Sequence, residues 1–143
     1  MVLNVDIAPS ILELAEVKPP VEPRMDGRSF LQLLGRKRDS GWREHFVYEY
    51  HWEWNFPAQP TTFAIRTDRW KYIFYHGLWD RNGLYDLQTD PHERHNLITV
   101  PAFKEKAIAL REKLFDELQA SGPLTLPVRR PKNEQYYDRK LPR

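Results

Sequence analysis

The stretch "FAIRTDRWKYIFYH", residues 63–76, predicts two β-strands joined by a tight turn. Both halves are dominated by β-branched and aromatic residues, the types that favour strands. Asp68 and Arg69 form the two-residue link, although such links prefer Asn-Gly or Asp-Gly. A hairpin here makes an antiparallel sheet the starting point for interpreting the rest of the chain.

Further strands flank this hairpin on both sides. Upstream, "HFVYEYHWEW" (45–54) alternates aromatic residues with valine, glutamate and histidine, the period-2 pattern of a strand. A Pro-rich loop, "NFPAQPTT" (55–62), connects it to the hairpin, and "LYDL" (84–87) supplies a fourth short strand. Short connections between consecutive strands predict an antiparallel meander of four strands.

The strongest helix signal is "PAFKEKAIALREKLFDELQAS", residues 101–121. Its apolar positions recur at helical spacing, and Pro101 suits a first helical turn while Gly122-Pro123 would end the helix. The residues expected on its apolar face are Phe103, Ala107, Leu110, Leu114 and Leu118. One face of the sheet is the surface that this helix would cover, which gives an α+β fold.

Two short helices are expected before the sheet. "DIAPSILELAEV" (6–17) has Asp6 as its N-cap, and its apolar residues are Ile7, Ile11 and Leu14. A second helix is predicted from an N-cap at Ser29 to Gly35. Residues 122–143 hold four Pro and six Arg or Lys, which predicts an extended tail.

Composition excludes several classes of protein. The 22 basic and 20 acidic residues give a net charge of +2, without the clustered basic excess of a nucleic-acid binder. The absence of Cys excludes disulfides, Cys-based zinc sites and thiol catalysis. No apolar run approaches the roughly 20 residues of a membrane span. The first residues, interrupted by Asn4, Asp6 and Glu13, do not resemble a signal peptide.

The segment "LYDLQTDPHERHNL" (84–97) concentrates two His, two Asp and one Glu, so it is a candidate metal site. His92 and His95 are three apart, whereas the zinc motif H-E-x-x-H needs four. A structural turn is favoured, with Asp90 as an N-cap, Pro91 at the first helical position and Glu93 completing a capping box. In this interpretation Asn96 adopts a left-handed conformation and Leu97 enters the core.

Other catalytic chemistry finds little support. The serines lack a G-x-S-x-G elbow, and no phosphate-binding G-K-[ST] is present. Glu49 and Glu53 would share one side of a regular strand and could form a glycosidase pair, but a solvated face is favoured.

A cluster of rings and histidines forms a candidate binding surface near strand ends, where binding residues concentrate. Trp faces stack on sugar rings, and His groups hydrogen-bond hydroxyls or anions. Core packing is the favoured role for Trp70 and Tyr72, whereas core and surface roles remain equally open for His76. The candidates for binding are His51, Trp52, Trp54, His76 and Trp79.

Taken together, these segments resemble the C-terminal part of a sulfatase of the alkaline-phosphatase superfamily. "DIAPSILELAEV" with "GRSFLQLL" is similar to two consecutive family motifs, and "AIRTDRWKYI" to its strand pair. "LYDLQTDPHERHNL" matches L-Y-D-L-x-x-D-P-x-E-x-x-N-L at every specified position. The chain looks most like the N-acetylglucosamine-6-sulfatase and mucin-desulfating branch.

The resemblance implies hydrolysis of a sulfate ester on a sugar, performed in the family by a formylglycine with a calcium ion. This chain lacks the C/S-x-P-S/A-R motif from which formylglycine is made and the paired-Asp metal motif. We therefore expect no catalytic residue, metal ligand or cofactor in this chain, and no activity from it alone. Calcium and formylglycine are expected in a parent enzyme that is exported to the periplasm, the extracellular space or the lysosome.

The resemblance also implies a domain organisation. Residues 1–45 would end the catalytic region, 46–121 would form the C-terminal subdomain and 122–143 the basic tail. The subdomain would pack on its own catalytic domain and contribute to the rim of the pocket for a sulfated carbohydrate. His76, Trp79 and His51 are the residues expected to contact the sugar, and apolar surface separated from the catalytic domain could support a dimer or swap. The alternative is a free-standing carbohydrate-binding module that uses Trp52, Trp54 and Trp79.

Overall fold

The chain folds as two units, Met1–Glu44 and His45–Arg143. A computed structural model describes residues 1–35, 41–56, 58–76 and 81–121. The predicted tail 122–143 and the predicted end of the long helix at Gly122-Pro123 lie outside the described residues.

The second unit contains a four-stranded antiparallel sheet in the order β1-β2-β3-β4. The strands are β1 (His45–Tyr50), β2 (Thr62–Thr67), β3 (Trp70–Tyr75) and β4 (Gly83–Asp86). The register places Val47, Ile65, Tyr72 and Leu84 in one row across the sheet. The meander predicted from the sequence is confirmed.

The inner face of the sheet packs against α2 (Lys104–Ala120), which follows a 3-10 turn at Pro101–Phe103. The predicted helix positions 107, 110, 114 and 118 are all buried, and Phe103 packs at the edge of the core against Trp70. Arg111 is buried as well, with its guanidinium bonded to Glu112. Side chains at most 1% exposed form the centre of this core: Phe63, Ile65, Tyr72, Leu84, Ala107, Leu114, Phe115 and Leu118.

Strand β1 is shorter than predicted, since it ends at Tyr50 and not at Trp54. Tyr50 pairs with Thr62, the first residue of β2, so the backbone beyond it has no partner in the ladder. Glu53 consequently lies outside the strand, and its predicted alignment with Glu49 on one side of a regular strand is wrong.

In the first unit, α1 (Ile7–Leu14) begins after a 3-10 turn at Asn4–Asp6. Asp6 occupies the predicted N-cap position, but its side chain makes no capping bond. The helix ends before Pro19 because Glu16 adopts φ 56° and the Val17 amide donates to the Leu12 carbonyl at 2.9 Å, as in a Schellman motif. The second predicted helix is reduced to a 3-10 turn at Leu31–Leu33.

Ser10 is the buried residue of α1, whereas three of the helix's large apolar residues are exposed. The Ser10 hydroxyl donates to the Asp6 carbonyl at 2.6 Å and accepts from the Phe30 amide at 3.0 Å. Gly27 is needed nearby, since a Cβ there would lie 1.9 Å from the Val5 carbonyl oxygen. The exposed apolar residues of the helix are Ile7 (52%), Ile11 (58%) and Leu14 (69%).

In the part of the chain that the structure describes, no helix has the length and hydropathy needed to cross a membrane.

Candidate functional site

Two loops leave the same end of the sheet, because antiparallel neighbours place the β1–β2 and β3–β4 connections together. Thr61, which is 6% exposed, joins them. Its hydroxyl accepts from the Trp52 amide at 2.9 Å, and its carbonyl accepts from the His76 amide at 2.8 Å. A single buried threonine therefore fixes the starting points of both loops.

His51 lies at the start of the first loop. Its ring meets the buried Phe63 ring edge-on at a centroid distance of 5.8 Å. Its Nε2 is 3.6 Å from a Glu49 carboxylate oxygen, and half of its side chain is exposed. One side of the imidazole is held by the core edge, so the exposed side can form hydrogen bonds with a polar ligand.

His76 lies at the start of the second loop and is half-buried. Its backbone position is set by the bond to Thr61, while the preceding Tyr75 amide donates to Asn82 Oδ1 at 3.1 Å. The structure thus places His51 and His76 at the same end of the sheet. Trp79, the third predicted contact, lies outside the described residues.

Exposed aromatic side chains follow His51. Trp52 and Trp54 pack edge-to-face at a centroid distance of 6.1 Å. Trp54 is 82% exposed, Phe56 is 54% exposed and Trp52 is 47% exposed. Rings with this exposure can stack on a sugar or pack against another protein surface.

Tyr50 is the last residue of β1 and comes immediately before this loop. Its hydroxyl is buried and has no hydrogen-bond partner among the residues that the structure describes. Burial raises the pKa of the hydroxyl, and the Glu53 carboxylate adds to the increase. Buried hydroxyls normally have a hydrogen-bond partner, so the Tyr50 hydroxyl is an exception among the described residues.

The polar segment 84–97 is occupied by structural bonds. Asp90 Oδ2 accepts from the His95 amide at 2.8 Å, a bond that lowers the pKa of the Asp90 carboxyl. Glu93 accepts from Lys71 at 2.7 Å instead of completing a capping box, and it is Glu93, with φ 54°, that adopts the left-handed conformation expected of Asn96. The predicted helical cap is therefore wrong in detail.

Asn96 joins this segment to the edge of the sheet. Its Oδ1 accepts from the Leu84 and Ile98 amides, both at 3.0 Å, and its Nδ2 donates to the Asn82 carbonyl at 3.0 Å. Leu97 packs against the core as predicted, and its amide donates to the Leu84 carbonyl at 2.8 Å. The polar side chains of residues 84–97 therefore act mainly by forming hydrogen bonds that hold the backbone of this segment in place.

The residues present do not fit a calcium or formylglycine centre. Within residues 1–35, 41–56, 58–76 and 81–121, no three His, Asp or Glu side chains are placed to hold a metal ion. The chain has no Cys, and Ser10, which follows Pro9, is committed to two structural bonds.

Comparison with known proteins gives a consistent result. Residues 1–120 match the family described as "N-sulphoglucosamine sulphohydrolase, C-terminal". The chain is 30% identical over 122 residues to N-acetylglucosamine-6-O-sulfatase of Bacteroides thetaiotaomicron, covering 82% of this chain and 21% of that protein. It is 33% identical over 117 residues to arylsulfatase K of Mus musculus, covering 77% and 20%.

A solved structure shares the fold as well. BT4656, in complex with its substrate D-glucosamine-2-N,6-O-disulfate, superimposes with a TM-score of 0.68 and 29% sequence identity, covering 81% of this chain and 24% of that one. The chain therefore spans about a fifth of the length of the curated relatives that it matches.

Proposed function

Because this chain belongs to the C-terminal family of the N-sulphoglucosamine sulphohydrolases, we propose that it serves as the C-terminal domain of a sulfatase that hydrolyses sulfate esters of sugars. The match over residues 1–120 to proteins about five times as long carries this proposal. The relative named N-acetylglucosamine-6-O-sulfatase and the structure solved with a disulfated glucosamine support a sulfated hexosamine as the substrate class.

The chemistry of sulfate cleavage is assigned to the preceding catalytic region. Formylglycine and calcium would supply the nucleophile and polarise the sulfate there; the sequence has no Cys, and within the described residues no His, Asp and Glu side chains are grouped to hold a metal ion. As a sulfatase the parent enzyme would act outside the cytoplasm, in the periplasm, the extracellular space or the lysosome.

The contribution of this chain is to recognise the sugar. His51 and His76 stand on neighbouring loops joined by Thr61, and the imidazole of each would bond hydroxyls of the sugar. Trp79, three residues after His76, is proposed to offer a stacking face. These three residues would contact the sugar and not the sulfate.

The two structural units are consistent with separate roles for the two parts of the chain. Residues 1–45 are proposed to complete the catalytic region, since α1 buries Ser10 and exposes Ile7, Ile11 and Leu14. That apolar stripe requires a neighbouring surface, and the catalytic region would supply it. In its absence the stripe can pair two chains, and residues 46–121 would form the subdomain that reaches the pocket rim.

The first experiment measures sulfate release with calcium present. We expect no turnover of aryl sulfate or glucosamine 6-sulfate by the 143-residue chain, and turnover of the sugar sulfate by the complete polypeptide. Turnover by the chain alone would contradict the assignment of the chemistry to the preceding region. Failure of the complete, formylglycine-containing polypeptide to release sulfate from any sulfated sugar would overturn the activity.

A second experiment tests the sugar contacts in the complete enzyme. His76→Ala is expected to lower kcat/KM for the sugar sulfate at least several-fold while leaving an aryl sulfate, which lacks the sugar, nearly unaffected. His92→Ala is the matched control, because His92 is an exposed histidine on the 84–97 segment. Equal losses on both substrates would remove His76 from the sugar site.

A further inference from the structure

Asn82 lies at the point where the pairing of β4 with β3 stops. The ladder between these two strands ends at the pair formed by Ile73 and Gly83, so the last two residues of β3 extend past the first residue of β4. On its other side β3 still pairs with β2, because Tyr75 is in register with Thr62. The end of β3 that leads into the second loop is therefore flanked by a strand on one side only.

The Tyr75 amide faces the side on which β4 has already ended. In an antiparallel ladder the amide and carbonyl of one residue point to the same side, and successive residues alternate. The Leu84 amide and carbonyl bond to residues 96 and 97 at the outer edge, so the Gly83 groups face β3 and pair with Ile73. Tyr75, two residues after Ile73, directs its amide to the same side. This amide needs an acceptor that β4 does not provide.

The Asn82 side chain supplies that acceptor. Its Oδ1 accepts from the Tyr75 amide at 3.1 Å, and its Nδ2 donates to the hydroxyl of the fully buried Tyr72 at 3.5 Å. Its backbone carbonyl accepts from Asn96 Nδ2 at 3.0 Å. The half-buried Asn82 is thus bonded to β3, to a core side chain and to the 84–97 segment.

His76 follows Tyr75 in the chain and is bonded from the opposite side. Its amide donates to the Thr61 carbonyl at 2.8 Å. Two consecutive amides, those of Tyr75 and His76, are consequently held in opposite directions, one by Asn82 and the other by Thr61. A rotation of the backbone between them would break one of these bonds, so together they fix the backbone from which the His76 side chain projects.

We propose that Asn82 is a positioning residue for sugar binding, because its side-chain amide holds the backbone that directs the His76 imidazole toward the hydroxyls of the sugar. The proposal rests on the proposed function, in which His76 contacts the sugar. Without the Asn82 acceptor, the Tyr75 amide would lose its partner and the His76 ring would sample more orientations. A group that is held in its binding orientation loses less entropy when the ligand binds. Asn82 should therefore act on the affinity for the sugar and not on the cleavage step.

Amide exchange tests whether the Tyr75 amide depends on the Asn82 side chain. In the 143-residue chain, Asn82→Leu removes the acceptor at similar volume, and the Tyr75 amide should exchange about ten-fold faster, while the Leu110 amide in α2 changes much less. Asn82→Asp keeps an oxygen acceptor and should preserve the protection of Tyr75. Gln88→Leu is the matched control, because it replaces another side-chain amide by leucine at an exposed position just after β4.

Kinetics of the complete enzyme test the effect on the sugar. Asn82→Leu should raise KM for the sugar sulfate about five-fold, change kcat by less than about two-fold and leave kcat/KM for an aryl sulfate nearly unaffected. Asn82→Asp should bring KM back close to the wild-type value, and Gln88→Leu should leave both constants unchanged. A role confined to stability would separate neither KM from kcat nor the sugar sulfate from the aryl sulfate. If Asn82→Leu does not fold, Asn82→Ser, which shortens the side chain and withdraws the acceptor, allows the same comparison.

Faster exchange of the Tyr75 amide in Asn82→Leu with an unchanged KM for the sugar sulfate would overturn the proposal and leave the proposed activity standing. Unchanged exchange of this amide would also overturn it, since the side chain would then not hold the backbone before His76. If Asn82→Leu and His76→Ala both leave KM unchanged, the sugar contact of His76 fails together with the role of Asn82. The exchange measurement requires no sulfatase activity, so a failure of the hydrogen bond is distinguishable from a failure of the proposed function.

Discussion

The Asp6 carboxylate and the Arg43 guanidinium form a two-point ion pair between residues 37 positions apart in the sequence. Arg43 Nη2 donates to Oδ1 at 2.6 Å, and Nη1 donates to Oδ2. The Asp6 side chain is fully buried, and that of Arg43 is 10% exposed. The Leu3 and Arg28 amides, at 2.7 and 2.9 Å, complete the bonding of the carboxylate and join three separate segments of the first unit.

Removing the guanidinium should disrupt this unit. Arg43→Met leaves a buried carboxylate without its counter-charge, and we expect a loss of about 3–5 kcal/mol in the free energy of unfolding. Arg28→Met is the matched control, because Arg28 contributes only its backbone amide and its side chain is exposed. Urea unfolding, with hydrogen exchange of the amides in residues 3–30, measures both variants. A similar stability for the two would show that the ion pair does not hold the unit together.

The same carboxylate predicts an acid sensitivity. Hydrogen bonding from Arg43, opposed by burial, lowers the pKa of Asp6 from 3.8 to about 2. Because the pKa of Asp6 is lower in the folded than in the unfolded chain, the ionised carboxylate stabilises the fold at pH values above the unfolded pKa. This contribution to the free energy of unfolding, about 2 kcal/mol, is complete above pH 5 and is lost as the pH falls from about 4 to 2. Urea midpoints between pH 5 and 2.5 should fall less steeply for Asp6→Asn than for Asp26→Asn, which alters an exposed carboxylate of the same unit. The same dependence of the urea midpoint on pH in both variants would contradict the assignment of the acid sensitivity to Asp6.

The threonine that joins the two loops can be tested by isosteric replacement. Thr61→Val removes the acceptor of the Trp52 amide but keeps the shape, and we expect a loss of about 1 kcal/mol and faster exchange of the Trp52 amide. Thr61→Ser retains the hydroxyl and should preserve that protection. In the complete enzyme, Thr61→Val should raise KM for the sugar more than it lowers kcat. Identical exchange of the Trp52 amide in both variants would rule out the hydroxyl as the anchor of the loop.

Asn96 should be the most sensitive position of the 84–97 segment. Asn96→Ala removes the Nδ2 donor and the Oδ1 acceptor that receives two amides, and we expect it to lower the free energy of unfolding by about 2–3 kcal/mol. Asn96→Asp keeps an acceptor oxygen and should lower it by less. His95→Ala should change stability by less than about 0.5 kcal/mol, because its side chain is 80% exposed. Thermal unfolding with and without a chelator measures all three. A large effect of His95→Ala that the chelator reproduces would restore the metal interpretation.

The sheet and the long helix could be predicted because their signals are local. The alternation in residues 63–76 and the apolar spacing of residues 103–118 each specify one element and its buried side, and the structure confirms both. Motifs in the same residues also predicted the family to which the chain belongs. The local signal failed in residues 51–54, where the alternation continues but β2 has no residue left to pair with.

Long-range polar contacts were the part that the sequence did not reveal. Nothing near Asp6 points to Arg43, and a capping role was the natural local interpretation of an aspartate before a helix. Asn96 likewise looked like a turn residue, because its partners Leu84 and Asn82 become neighbours only after the chain folds back. His51 and His76 remain predicted sugar contacts, and their placement on neighbouring loops depends on Thr61, which no motif singled out.

The bonds from residues 96–97 to Leu84 have a consequence for self-association. β4 is an outermost strand, and such strands recruit strands from other molecules through their free amides and carbonyls. Here the Leu84 amide and carbonyl are already taken by the Asn96 side chain and the Leu97 amide. Strand-by-strand growth into fibrils is therefore blocked at this edge by the chain itself, and β1 is the edge at which any templated assembly would have to begin.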